Sequence, residues 1–324
     1  MANYAFVYLD YCVYFYFNNL VIGIIKIINV TYSKMQSIAV LLTVFNRKEK
    51  TLACLSSLFE AAPAENMAVW LTDDGSSDGS AVAIRESFPD KEIHILQGDG
   101  NLFWNGGMIN SWNAAIEQGG YDGYLWLNND VVVLPGLWDE LVAAEEYSLS
   151  TFGKTGIYVG SVKDAADGHF TYGGFNFVSK LSLKDQFVIP DGEFHTCQCA
   201  HGNVTFVSSA VVDKMGVFCD EYIHGGTDHD YTYLAYKAGF PLIVLRDYAG
   251  LCENDHSGSQ RGMDGMNLRE RLAYLKSPHG LNLHNTLLFQ KRCFPWRLPF
   301  AFVAAYLKVI FPNITYKFYR AIRH

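Results

Sequence analysis

The feature that most constrains this chain is an alternation. Short apolar runs of strand length recur between stretches whose apolar residues fall at helical spacing. The runs are Ile38–Phe45 (IAVLLTVF), Ala68–Leu71 (AVWL), Ile93–Leu96 (IHIL) and Tyr124–Leu127 (YLWL). Helices are predicted from Lys48 to Glu60, in a short stretch ending at Phe88, from Met108 to Gln118 and from Pro135 to Tyr147. Strands alternating with helices make a mostly parallel sheet covered on both faces. Such sheets bind ligands beyond the carboxyl ends of their strands. Asn46, Asp73-Asp74 and Asn129-Asp130 all stand at predicted strand ends, so three polar clusters converge on one edge. The second half is less regular. It offers strands at Asn203–Val207 and Leu242–Leu245, helices at Ala210–Met215 and Thr227–Ala238, and turns at Tyr172–Phe175 and Pro190–Gly192. There is no internal repeat, and no linker before about residue 270.

The run from Tyr124 to Leu134 is apolar except for Asn128-Asn129-Asp130. An unpaired carboxylate inside a core is costly. Either the chain leaves the core there, or something cationic meets Asp130. A hard divalent cation held by one or two carboxylates, with water and phosphate completing its shell, fits as well as a solvated loop does. Asp73-Asp74-Gly75-Ser76-Ser77-Asp78-Gly79 reads either as a strand-to-helix turn with a cap or as carboxylates accepting from a base or ribose. Gly98–Gly107 has the wrong glycine spacing for a dinucleotide fingerprint and no G-K-[ST]. It reads as a loop whose backbone approaches something closely, or as a plain turn, with Asn110 and Asn113 following. His224–Asp230 gathers two carboxylates and two histidines; Asp228 is a helix cap or a general base. His256 stands in a polar loop after a strand, as a loop histidine or a phosphate or metal contact.

Net charge is −8, which argues against general nucleic-acid binding. That average hides an asymmetry: from Arg271 to the C-terminus there are nine Lys and Arg and no Asp or Glu. A basic, aromatic tail on an acidic body points to an anionic surface such as a membrane. The seven cysteines are scattered, and Cys197-x-Cys199 is too short for a zinc knuckle, so reduced thiols of a cytoplasmic protein are expected. Residues 4–30 are apolar and aromatic, but the longest unbroken run, Tyr11–Phe17, is far below the roughly 20 residues of a spanning helix. Residues 1–34 are therefore either a membrane-associated anchor or sequence upstream of a domain that opens at Met35.

Taken in order, these segments resemble the family 2 glycosyltransferases of the GT-A fold, over about two-thirds of the chain. LLTVFNRKEKTLACLSSL is similar to the family's opening strand and helix, which implies nucleotide contacts from Thr43, Phe45 and Asn46. Phe45 stands where tyrosine is usual. TDDGSSDGS resembles the nucleotide-binding acidic turn, which implies that Asp74 meets the base. GNLFWNGGMINSWNAAI resembles the Gly-Asn-rich segment of rhamnosyltransferase-like members and implies donor contacts from Asn101, Gly106, Gly107 and Asn110. LNNDVVV takes the place of the Asp-x-Asp metal motif, with Asp130 as metal ligand and Asn129 beside the donor. GGTDHDY resembles the Glu-Asp-x-Asp segment; Thr227 replaces the glutamate and Asp228 falls on the catalytic base. His256 matches a histidine that touches metal or diphosphate.

The resemblance implies a GT-A domain over residues 35–270, with a Rossmann-like nucleotide half and an acceptor half, followed by a tail over 271–324. It implies a Mg²⁺- or Mn²⁺-dependent inverting transfer from a dTDP-, UDP- or GDP-linked sugar to a lipid-linked glycan in cell-surface polysaccharide synthesis. Such a protein would be cytoplasmic or peripheral at the inner face of the membrane, with no nucleic-acid partner. The rivals are a sugar-phosphate nucleotidyltransferase and a non-catalytic nucleotide-sugar-binding protein. No Gly-rich basic loop follows the first strand, which counts against the first; Asp74, Asp130 and Asp228 are all present, which counts against the second.

Overall fold

The computed structural model describes residues 35–61, 67–223, 225–253, 263, 265–277, 280–312 and 315. The N-terminal segment 1–34, His224 and His256 lie outside the described residues. From Ser37 onward the chain forms one compact unit, distinct from Met1–Gln36.

The first half alternates as expected. Strand β1 (Ile38–Val44) leads to helix α1 (Lys48–Ala61), β2 (Met67–Asp73) to α2 (Ser80–Ser87), β3 (Ile93–Gln97) to α3 (Phe103–Gln118), and β4 (Gly123–Leu127) through the short β5 (Val132–Val133) to α4 (Leu137–Phe152). Every residue of β2 and β4 is buried, and all of β1 except the half-buried Thr43. That explains why these strands read as unbroken apolar runs rather than as alternating patterns.

The second half brings β6 (Ile157–Lys163), β7 (Phe170–Tyr172), β8 (Gly174–Ser179), β9 (Lys184–Phe187), β10 (His195–Thr196), β11 (Cys199–Ala200) and β12 (Val204–Ser208). Helices α5 (Ser209–Met215) and α6 (Thr227–Lys237) follow, then β13 (Leu242–Leu251), α7 (Leu268–Lys276), α8 (Leu283–Cys293) and α9 (Leu298–Ile310). The main sheet runs β10-β13-β6-β12-β4-β1-β2-β3. All of these strands except β10 and β12 point the same way. Strands β8, β9 and β11 form a separate small sheet.

Two features of this layout position the site. The chain passes from β3 back across the sheet to β4, on the other side of β1. The crevice beyond β1 and β4 is therefore the topological switch point, where open α/β sheets bind ligands. Strand β12 runs antiparallel beside β4, pairing Val204 with Leu127. Its start therefore lies at the end of β4, and the second half of the chain meets the first there.

Three departures from the sequence reading have local causes. Helix α3 begins at Phe103, five residues before the expected start, so Gly106 and Gly107 are helical rather than loop. The Asp74 carboxylate anchors the turn that leads in, accepting from the Gly100 and Phe103 amides at 2.8 and 3.1 Å. A Cβ on Gly107 would lie 2.1 Å from Thr43 Oγ1, so the missing side chain lets α3 seat on β1. Strand β13 runs to Leu251, six residues beyond the expected end, because its far part pairs with β5 and β6. The C-terminal segment, read only as a tail, contains helices α7–α9, whose small apolar core includes Leu275, Leu283, Ala305 and Val309. Helix α8 is fixed to α6 by an ion pair in which the half-buried Arg292 donates through Nε to both oxygens of the buried Asp230, at 3.0 and 2.9 Å. Among the described residues no helix is long and apolar enough to cross a membrane.

Candidate active site

The segment after β1 turns sharply. Asn46 and Arg47 both adopt positive φ, 55° and 69°, which costs a non-glycine residue energy and persists only when its surroundings enforce it. The enforcing element is the acidic turn after β2. Asn46 N donates to Ser76 Oγ at 2.8 Å, Ser77 N donates to Asn46 Oδ1 at 3.0 Å, and Lys48 N donates to Asp78 Oδ2 at 2.9 Å. Asp73 in turn accepts from Ser76 N at 2.8 Å. Much of the polar equipment in this turn therefore serves the neighbouring loop. Asp78, whose carboxyl is held below its ordinary range by hydrogen bonds from Ser80 and Lys48, belongs to the same network.

Arg47 then reaches from β1 across the switch point to β4. Its Nη1 donates to Asp130 Oδ2 at 3.0 Å, while Cys252 Sγ lies 3.8 Å from Oδ1. The Asp130 side chain is 15% exposed and the Arg47 side chain 50%. The carboxylate in the middle of the apolar run thus meets a cation, and that cation is supplied by this chain. A divalent ion at this place needs only one or two protein carboxylates when a diphosphate supplies further oxygens. Asp130 offers one, at a position that already attracts positive charge, so the residues fit such an ion. Among the described residues no group of three or more His, Cys, Asp or Glu is placed to hold a metal by itself.

The other predicted nucleotide residues sit around this crevice. Phe45 is 57% exposed and presents its ring to solvent. Both oxygens of Asp74 are engaged by the α3 approach, and a Cβ on Gly98 would lie 2.5 Å from one of them. Asn101 is exposed, with its backbone N–H donating to Asp99 at 2.8 Å. Asn110 Nδ2 donates to Thr72 Oγ1, itself bonded to Ser111 beneath β1. Gly106 lies against Leu102, and Asn129 Nδ2 donates to Thr51 Oγ1 on α1 at 3.0 Å.

Asp228 arrives from the second half, in the first turn of α6. Its Oδ2 accepts from Gly202 N at 2.9 Å and its Oδ1 from His229 N at 3.0 Å. Gly202 lies just before β12. A Cβ there would lie 3.1 Å from the Trp104 ring and 3.3 Å from the Asp228 Cβ. Trp104 Nε1 donates to Asn128 Oδ1 at 2.8 Å, and Asn128 N donates to Asn203 O at 3.0 Å. Asp130 and Asp228 are therefore tied to one another through Asn128, Trp104 and Gly202.

Behind Asp228, the His229 and His201 rings meet edge to face at 4.7 Å. Burial, together with the neighbouring His229, lowers His201 to about 4, so it is neutral at physiological pH. The second acid of the segment, Asp230, belongs to the Arg292 pair and faces away from this chemistry. Arg47, Trp104 and Gly202 were absent from the residues predicted by sequence. Arg47 adjoins the flagged Asn46, but nothing in the sequence marks a backbone amide such as that of Gly202.

The arrangement offers a cation-attracting carboxylate, an exposed aromatic ring, and a second carboxylate oriented by two amides. A comparison with curated protein sequences gives no match. Among solved structures, the chain is similar to GalNAc-T7 crystallised with UDP, GalNAc and Mn²⁺, with TM-score 0.51, 12% identity and 66% of this chain covered. It spans 43% of that chain. It is similar also to mannosyltransferase PcManGT from Pyrobaculum calidifontis in complex with GDP-Man and Mn²⁺, with TM-score 0.49, 16% identity, 88% of this chain and 78% of that one. A third likeness is to S. aureus TarS residues 1–349, with TM-score 0.48, 15% identity, 86% of this chain and 73% of that one. At these identities the likeness concerns fold. The sheet order and the GalNAc-T7 match agree with the mixed α/β GT-A fold that the sequence implied. The model of Glycosyl transferase family 2 matches residues 39–195, from β1 to the start of β10, so that this segment is similar to the family 2 glycosyltransferases.

Proposed function

We propose that the whole chain is a metal-dependent, inverting glycosyltransferase that moves a hexosyl or deoxyhexosyl unit, rhamnose being our choice, from a nucleoside-diphosphate donor to an acceptor hydroxyl. The observation that carries this reading is that the Asn128–Trp104–Gly202 chain links the segments bearing Asp130 and Asp228, from separate halves of the chain, at one end of the sheet. Asp130, with His256, would hold Mg²⁺ or Mn²⁺. When bound, that ion supplies charge neutralisation on the departing diphosphate. Phe45 stacks on the base, and the rim formed by Asn46, Asp74, Asn101 and Asn110 bounds the donor. Asp228 takes the proton of the acceptor hydroxyl. The acceptor oxygen then bonds to the anomeric carbon from the face opposite the diphosphate, and the bond from that carbon to the phosphate oxygen breaks.

The acceptor side supports a lipid-linked glycan at the inner membrane face, as in cell-surface polysaccharide synthesis. On α9, Ala305 and Val309 are buried, while Phe300, Val303 and Leu307 face outward, followed by exposed Phe311. This apolar stripe stands in a segment with nine basic and no acidic residues. The deciding experiment is donor hydrolysis across UDP-, dTDP- and GDP-sugars, with Mn²⁺ or with EDTA. Metal-dependent release of nucleoside diphosphate from one donor is expected. Binding of a donor with no turnover, even with acceptor lipid present, would leave only a binding protein.

A further inference from the structure

Arg47 places a fixed positive charge on the carboxylate that the proposed reaction reserves for a metal ion. The contact is built rather than incidental. Two successive residues are held at positive φ; three polar groups of the 73–78 turn bond to the segment 46–48, and Asp73 braces the turn from within. The product of that effort is a guanidinium that leaves β1, crosses the switch point and donates to Asp130 Oδ2 at 3.0 Å. Arg47 remains half exposed, so solvent screens the pair and hydrates the guanidinium when it leaves Asp130. Two cations cannot both sit closely on one carboxylate without strong repulsion.

We infer that Arg47 is a displaceable counter-ion for Asp130. In the free protein it satisfies the carboxylate and lowers the site's affinity for a bare divalent cation. When the cation is loaded with a donor, the guanidinium is released at the mouth of the same crevice, where a diphosphate provides a new anionic partner. Metal and donor diphosphate therefore bind with positive coupling, and Arg47 is the positioning residue that carries it. This rests on the metal-dependent reading above.

The test is Mn²⁺ binding, followed by electron paramagnetic resonance and calorimetry on the full chain, without nucleotide and then with UDP, dTDP or GDP. Four proteins are compared: the parent, Arg47→Asn, Arg47→Lys and Asp130→Asn. Asparagine tolerates the positive φ and removes the charge. We expect Arg47→Asn to bind Mn²⁺ alone about fivefold more tightly than the parent. Its gain in Mn²⁺ affinity on adding the diphosphate should shrink, with Arg47→Lys falling between. Asp130→Asn should bind Mn²⁺ poorly under every condition. If both Arg47 variants match the parent while Asp130→Asn loses the metal, the counter-ion idea is wrong and the metal-dependent reading stands. If the parent fails to bind Mn²⁺ with or without each diphosphate, both fall together.

Discussion

At the scale of single residues, the two halves of the site were legible to different degrees. The polar interruption at Asn128-Asn129-Asp130 left two readings open in the sequence, a strand leaving the core or a cation meeting Asp130. It did not indicate that the free protein supplies one from 83 positions away. Asp228 was legible as a carboxylate opening a helix. Its orientation was not, because it depends on the Gly202 amide and on Trp104 packing behind that glycine. The proposed base gives a direct expectation. Asp228→Asn keeps the side chain's shape but cannot take a proton. Turnover should fall by about 10²- to 10⁴-fold, while donor affinity measured by calorimetry stays within about twofold. Unchanged turnover would remove Asp228 from the chemistry.

At the scale of elements, periodicity located the helices and buried strands of the first half to within a few residues. In the second half β7 to β11 are too short and too mixed to register, and the buried central β6, whose apolar run is interrupted by Gly160 and Ser161, was missed as well. The start of α3 was missed because two glycines read as loop, whereas Gly107 is required for close packing. Gly107→Ala should cost roughly 1–3 kcal/mol despite alanine's better helix propensity, since its Cβ would meet Thr43 Oγ1 at 2.1 Å. Thermal unfolding checks this, and an unshifted midpoint would mean that β1 and α3 separate freely. Helix α4 carries a second testable feature, the buried Glu145. Burial, with Asp122 and Glu146 nearby, raises its carboxyl from about 4.5 to about 7. The folded value is the higher one, so between those two pH values the folded protein holds a proton that the unfolded chain has released. The cost of ionising Glu145 thus grows across that window and is complete above it. Glu145→Gln should change stability little at pH 4.5 and add roughly 1–3 kcal/mol at pH 8, measured by denaturant unfolding at both.

At the scale of the whole molecule, the charge asymmetry becomes meaningful only once α9 is seen to be amphipathic in an unusual sense. One apolar stripe packs on α7 and α8, and another faces outward. If that face meets a membrane, the protein should sediment with vesicles containing anionic lipid and much less with neutral ones. Phe300→Glu with Leu307→Glu should abolish sedimentation without lowering donor hydrolysis. Equal binding by parent and variant, or binding to neither vesicle, would exclude this face.

The sequence by itself determined the alternating α/β architecture, the strand ends on which polar residues gather and the charge contrast between body and C-terminal segment. All three follow from periodicity and composition, which are local. Only the tertiary structure decided that β4 lies beside β1, that β12 brings Gly202 and α6 to the same edge, and that Arg47 rests on Asp130. These depend on strand order and on contacts between residues far apart in the chain. Nothing in a local pattern encodes which distant backbone amide or guanidinium will complete a carboxylate's shell.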